Sequence, residues 1–168
     1  SMLDLKITGG VVHDGTGADP VCADIGIEAD TISSIGDLSG ETARRTLALD
    51  SGTVVAPGFI DTHSHSDAFL LFEPGAYSKI TQGITTEIVG NCGASAAPIS
   101  DRSQLPSDWS DKTYPGSWSS VADYHALLES VTPAVNVGLL VGHNTLRRRV
   151  VGYDNRPATP EELGTMCD

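Results

Sequence analysis

The chain has 168 residues, 39% of them apolar and 19% charged, which suits one folded domain with a sizeable core. Its 22 acids against 10 bases give a formal charge of -12 with no basic stripe, which excludes nucleic acid and anionic membranes as expected partners. No apolar run approaches the ~18 residues of a membrane helix, and the 3 cysteines are too few for a disulfide scaffold.

The first 56 residues read as short strands. Leu3, Leu5 and Ile7 alternate with Asp4, Lys6 and Thr8, and Ile25/Ile27 and Leu47/Leu49 repeat that period. Gly9-Gly10, Asp14-Gly15, Ala29-Asp30 and Ser51-Gly52 punctuate the runs. Such a pattern predicts a small antiparallel sheet with one wet face. From Val54 the texture changes. Val54 to Ile60 is nearly continuously apolar up to Asp61, as expected of a strand buried on both faces. A helix is predicted over 74–82, a second buried strand over 85–89 and a long Ser/Asp/Pro-rich loop over 99–117. Val121, Tyr124, Leu127 and Leu128 set a helix over 119–130. A third buried strand follows over 135–141. Thr159 then caps a last helix, with Pro160 at its first position. Alternating strands and helices make the second part α/β with a parallel sheet.

Chemistry-bearing residues gather at strand ends. His63 and His65 flank Ser64 just after the first buried strand. Residues i and i+2 of an extended segment face one way, so two imidazoles can converge on one metal ion. Asp61 and Asp67 extend the period. Cys92 lies three residues past the second buried strand, between Gly90 and Gly93, where a thiolate could ligate zinc or act as a nucleophile. His143 follows the third strand, without ligand spacing to mark it. Each position also has a bland alternative: histidines that merely hydrogen-bond, and a small buried thiol. Cys22 and Cys167 lack polar neighbours and are read as structural. Arg147, Arg148 and Arg149 are expected on a solvated helix face. His13 and His125 receive no role.

These residues carry a resemblance. Ala56-Pro-Gly-Phe-Ile-Asp-Thr-His-Ser-His-Ser-Asp67 is similar to the first-strand motif of the amidohydrolase superfamily, and Gly83-Ile-Thr-Thr86 to the turn into its second strand. Ile88-Val-Gly-Asn-Cys-Gly-Ala-Ser95, Gly142-His-Asn-Thr-Leu-Arg147 and the stretch from Arg156 to Glu162 resemble the D-aminoacylase branch, the N-acyl-D-amino-acid deacylases.

The resemblance implies a small β-sandwich over 1–56 and the N-terminal part of a TIM-like barrel over 57–168, since a whole barrel takes about 200 residues or more. It implies zinc as cofactor, Cys92 as a zinc ligand in place of a carboxylated lysine, and His63 and His65 as the neighbouring half of the site. Asp67 and His143 are weaker candidates, behind the ligands or on the substrate side. A proton-shuttling Asp and two further histidines have no counterpart here. The expected activity is hydrolysis of N-acyl-D-amino acids, with the 168 residues alone inactive. Alternatives are a dihydroorotase- or hydantoinase-like enzyme acting on cyclic amides, and a metal-binding fragment without turnover. No charged-then-apolar leader opens the chain, so a reducing, cytoplasmic setting is expected. Self-association through an exposed barrel edge is expected as well.

Overall fold

A computed structural model describes residues 2–167. The chain divides into two compact units, 1–57 and 58–168.

The first unit is one mixed sheet. Its strands are β1 (Leu3–Val12), β2 (Val21–Glu28), β3 (Thr31–Gly36), β4 (Ala43–Ala48) and β5 (Val54–Val55). The order is β3-β2-β1-β4, with β5 also on β1. The purely antiparallel sheet expected from the sequence is corrected here: β1 pairs antiparallel with β2 but parallel with both β4 and β5. Gly9-Gly10 does not end the first strand. It bulges it, with the register against β2 shifting between Ile7 and Gly10 and Gly9 at φ 79°.

The second unit is α/β. Strands β6 (Phe59–Asp61), β7 (Ile84–Val89) and β8 (Asn136–Leu139) form a parallel sheet in that order. Helices are α1 (Tyr77–Ile80), α2 (Ser107–Ser110), α3 (Val121–Val131), α4 (His143–Val150) and α5 (Pro160–Cys167). No helix among the described residues is long and apolar enough to cross a membrane.

Three expectations fail in this unit. The apolar run 54–60 is not one buried strand. Pro57, which has no N–H for a ladder, falls between β5 and β6, and Phe59 and Ile60 are 65% and 62% exposed. The helix expected over 74–82 shrinks to the four residues of α1, because Ala76 takes a left-handed conformation just before it. The loop 99–117 is not a solvated connection. It contains α2 and supplies Leu105, Trp109 and Tyr114 to the core. Tyr114, Trp118 and Tyr124 stack edge-on in sequence, with ring centroids 5.0 and 6.3 Å apart. Their polar tips anchor the site segments: Tyr124 donates to the Asp67 carbonyl (2.9 Å) and Trp118 to the Ala96 carbonyl (2.7 Å).

The cap expected at Thr159 forms, and a second, not foreseen, forms on α3. Ser120 and Asp123 make a reciprocal capping box on α3. Thr159 and Glu162 make the expected one on α5, at 3.2 and 2.8 Å. The basic run on α4 is less solvated than expected. Arg147 donates to the carbonyls of Asp154 and Arg156 (2.9 and 2.6 Å), and Arg148 bonds the Gln104 carbonyl; Arg149 alone is exposed.

Candidate metal centre

The segment past β6 bends at Thr62 and His63 and then runs on beside β7. The Asp61 carboxylate accepts the His63 N–H (3.1 Å), and the Ser64 N–H donates to the Ile88 carbonyl (3.0 Å), a bond to β7 three residues beyond the strand. Side chains alternate. His63 and His65 point outward and are exposed, while Ser64 is buried between them.

Past β7, the backbone turns tightly against the β8–α4 connection. A Cβ on Gly90 would lie 1.8 Å from the Leu140 carbonyl oxygen, so only glycine fits there, at φ 80°. The Asn91 amide ties the turn down by donating to the Ile88 carbonyl (2.8 Å) and the Ser64 carbonyl (3.4 Å). Cys92 itself sits at φ 55°. That left-handed conformation costs a residue with a Cβ about 1–2 kcal/mol. Bonds further along hold it. Ser95 N–H donates to Thr145 Oγ1 (2.9 Å), Thr145 Oγ1 to the Ser95 carbonyl (3.2 Å), and Gly142 N–H to Ser95 Oγ (3.0 Å).

The two segments bring His63, His65 and Cys92 together. Donor atoms of the three all lie within 4.8 Å of one another, and His63 Nε2 is 3.1 Å from Cys92 Sγ. Zinc bonds of about 2.0–2.3 Å place tetrahedral ligands roughly 3.3–3.8 Å apart. The trio reaches that spacing with side-chain adjustment of about an ångström. All three are exposed, so an ion can enter. Two imidazoles and a thiolate also form a donor set matched to a borderline-soft dication. The residues therefore fit zinc, in number short of a closed four-ligand site.

The remaining candidates lie elsewhere. His143 is exposed at the first turn of α4 and outside the donor cluster. Asp67 is 0% exposed, which places it behind the histidines and not on a substrate-accessible face. Its Oδ2 accepts the Ala96 N–H (3.0 Å), while Oδ1 has no partner. Burial pushes its carboxyl up to about 6, against the opposing pull of backbone N–H groups. Cys22 and Cys167 are exposed free thiols, not the structural residues expected.

Glu87 and Lys79 were not singled out by the sequence reading. Glu87 is 0% exposed in the middle of β7, and Lys79 Nζ bridges it (2.8 Å) to Asp61 (2.7 Å). The Lys79 hydrogen bond, with the His63 N–H, holds the Asp61 carboxyl below its usual range. Partial burial pulls the Lys79 ammonium down, but its bonds to Asp61 and Glu87 outweigh that and raise it. A signal was present: Glu87 is the single charge inside Ile84-Thr-Thr-Glu-Ile-Val89.

Residues 51–166 match the amidohydrolase family. The chain is 42% identical to a D-aminoacylase of Alcaligenes xylosoxydans xylosoxydans over 166 residues, 98% of this chain and 34% of that one. It is 38% identical to an N-acyl-D-aspartate deacylase of the same organism, over 97% of this chain and 33% of the relative. Among solved structures, an N-acyl-D-glutamate deacylase from Bordetella bronchiseptica, complexed with zinc and a phosphonate inhibitor, superposes with a TM-score of 0.87 at 39% identity; the match covers 99% of this chain and 35% of that one. The chain thus spans about a third of the length of these relatives.

Proposed function

We propose that this chain, which belongs to the amidohydrolase family, forms the zinc-binding N-terminal part of an enzyme that hydrolyses the amide bond of N-acyl-D-amino acids to a D-amino acid and a carboxylate. The observation that carries the reading is the meeting of Cys92 with His63 and His65. A thiol held left-handed against a neighbouring backbone is a costly arrangement for a mere core residue, and this one is exposed. The fold follows the same reading. β6, β7 and β8, parallel and in sequence order, are taken as the first three strands of a TIM-like barrel, whose sites lie at C-terminal strand ends. The sheet of the first unit is taken as one layer of the accompanying β-sandwich.

His63, His65 and Cys92 would hold the zinc ion. When bound, zinc lowers the pKa of a water molecule towards ~7 and polarises the amide carbonyl. The chain's own contribution is placement. Asp61 and Ser64 backbone bonds fix the two imidazoles, Asn91 and the glycines fix the thiol, and the exposed rim leaves the donors open to substrate. A cyclic-amide enzyme would need a barrel lysine where Cys92 stands. The one lysine close by, Lys79, is engaged by two carboxylates.

The test is zinc content of the purified protein and of C92A, with an assay of the whole protein on paired N-acetyl-D- and N-acetyl-L-amino acids. The reading expects zinc in the wild type, its loss in C92A, and turnover of the D series alone. Unchanged zinc in C92A, or turnover of cyclic amides only, would overturn it.

A further inference from the structure

Behind the histidines lies a group of side chains that zinc ligation itself does not use. Glu87 Oε1 accepts from Ser64 Oγ (2.8 Å), Ser66 Oγ (2.9 Å) and Lys79 Nζ (2.8 Å). Lys79 also donates to Asp61 Oδ2 (2.7 Å) and Ser64 Oγ (3.2 Å). Ser64 and Ser66 alternate with His63 and His65 along the segment. The two hydroxyls that point inward, one beside each imidazole, therefore end on one carboxylate oxygen. Asp61, joined to the same lysine, holds the His63 N–H (3.1 Å).

A stability argument alone does not account for this carboxylate. Burying a charge costs several kcal/mol unless every lone pair is matched. Glu87 is fully buried, yet its Oε2 has no partner. Its neighbours along β7 are apolar or Thr, and a Val there would avoid the cost. Two carboxylates, Asp61 and Glu87, share one ammonium.

We propose that Glu87 is a positioning residue for the metal centre: through Ser64 and Ser66, which alternate with the ligands, it fixes the segment that carries the two histidines. This rests on the zinc reading above. Partners of this kind, one layer behind the ligands, typically contribute about 10–100-fold to metal affinity.

The experiment is a Co²⁺ titration of the wild type, Glu87→Gln and the double variant Ser64→Ala/Ser66→Ala, with the ligand-field spectrum recorded and the metal-free thermal midpoint measured beside it. Glu87→Gln keeps the shape and removes the charge. It is expected to bind Co²⁺ about 10–100-fold more weakly, with an altered spectrum, at temperatures where the metal-free midpoint shows the variant still folded. The double variant, which leaves the ion pairs intact, is expected to weaken binding about tenfold or more and to stand in if Glu87→Gln fails to fold. Unchanged Co²⁺ affinity and spectrum, with a lowered metal-free midpoint, would make Glu87 a structural residue and overturn the proposal. A wild type that binds no Co²⁺ would overturn the zinc reading, and this proposal with it.

Discussion

Gly142→Ala separates steric cost from conformational cost at the Cys92 loop. Gly142 has φ -75° and ψ 129°, which alanine adopts freely. By chain entropy alone the substitution would stabilise by about 0.4–1 kcal/mol. Contact decides otherwise. The new Cβ would lie 2.3 Å from the Gly93 carbonyl oxygen, 2.4 Å from its carbon and 2.7 Å from the Ala94 nitrogen. All three are backbone atoms, so no side chain can swing away. To reach even 3.0 Å, the β8–α4 connection must part from the Cys92 loop by about 0.7 Å. The Thr145 N–H bond to the Gly93 carbonyl, now 3.2 Å, does not survive that shift. Overpacking costs about 1–3 kcal/mol and the lost bond about 1 more. The expected loss is about 2–4 kcal/mol, at roughly 2–4 °C in Tm for each kcal/mol. Urea unfolding followed by the core tryptophans Trp109 and Trp118 reads it directly. Zinc affinity should fall as well, because donor positions tolerate only about 0.2 Å. A variant within about 0.5 kcal/mol of the wild type, with unchanged zinc affinity, would refute the close approach as a determinant of the loop.

Gly164→Ala is the converse case. Its Cβ meets nothing within 4 Å inside α5, so helix propensity should stabilise that helix by about 0.8–1 kcal/mol, seen as slower amide exchange there. Ser120→Ala removes the acceptor of the Asp123 N–H (3.0 Å) and should lower stability by about 1 kcal/mol in the same urea assay. Glu162→Gln tests the α5 anchor by pH. The Arg156 side chain, then the Thr159 N–H, hold the Glu162 carboxyl down to about 2 from an ordinary 4.5. A lowered acid contributes fully above its unfolded value and loses the contribution as pH falls through the folded one. The variant should therefore melt below the wild type at pH 7, and circular dichroism melts should show the gap closing between about pH 4.5 and 2.

Local rules were legible, and tertiary ones were not. Thr159-Pro-Glu-Glu162 carries its cap within one turn of chain, so the start of α5 could be read from the letters. His63, His65 and Cys92 could be read because residue type and strand-end position together limit what they can do. Composition misled where structure is irregular. Trp109, Tyr114 and Trp118 follow no helical or strand period, and the Ser, Asp and Pro around them describe the solvent side of a segment whose aromatics form the core. The run 54–60 misled for a different reason: apolar letters are summed across Pro57, while pairing is interrupted by it. Glu87 and Lys79 were missed because their meaning depends on α1 returning over the β6–β7 edge, which no window of sequence contains.

The departures from local rules cluster around one place. Among the described residues, four positions other than glycine have positive φ. Ala29 joins β2 to β3, Thr132 caps the end of α3 and Ala76 opens α1, so each has a chain-reversing or capping task. Cys92 shares a tight turn with Gly93, closed by the Ala94 N–H on the Asn91 carbonyl (3.1 Å), and is the one of the four that also belongs to the donor cluster. The buried side-chain oxygens without a partner, again among the described residues, are Asp67 Oδ1 and Glu87 Oε2. Asp67 lies two residues past His65, and Glu87 is bonded to both serines that alternate with the histidines. A fold selected for stability alone would relieve the strained thiol and replace or neutralise two incompletely paired carboxylates. Each costs on the order of 1–3 kcal/mol. Their coincidence around His63 and His65 is what the proposed metal centre accounts for, since a dication there would favour a fixed thiolate and a negative surrounding.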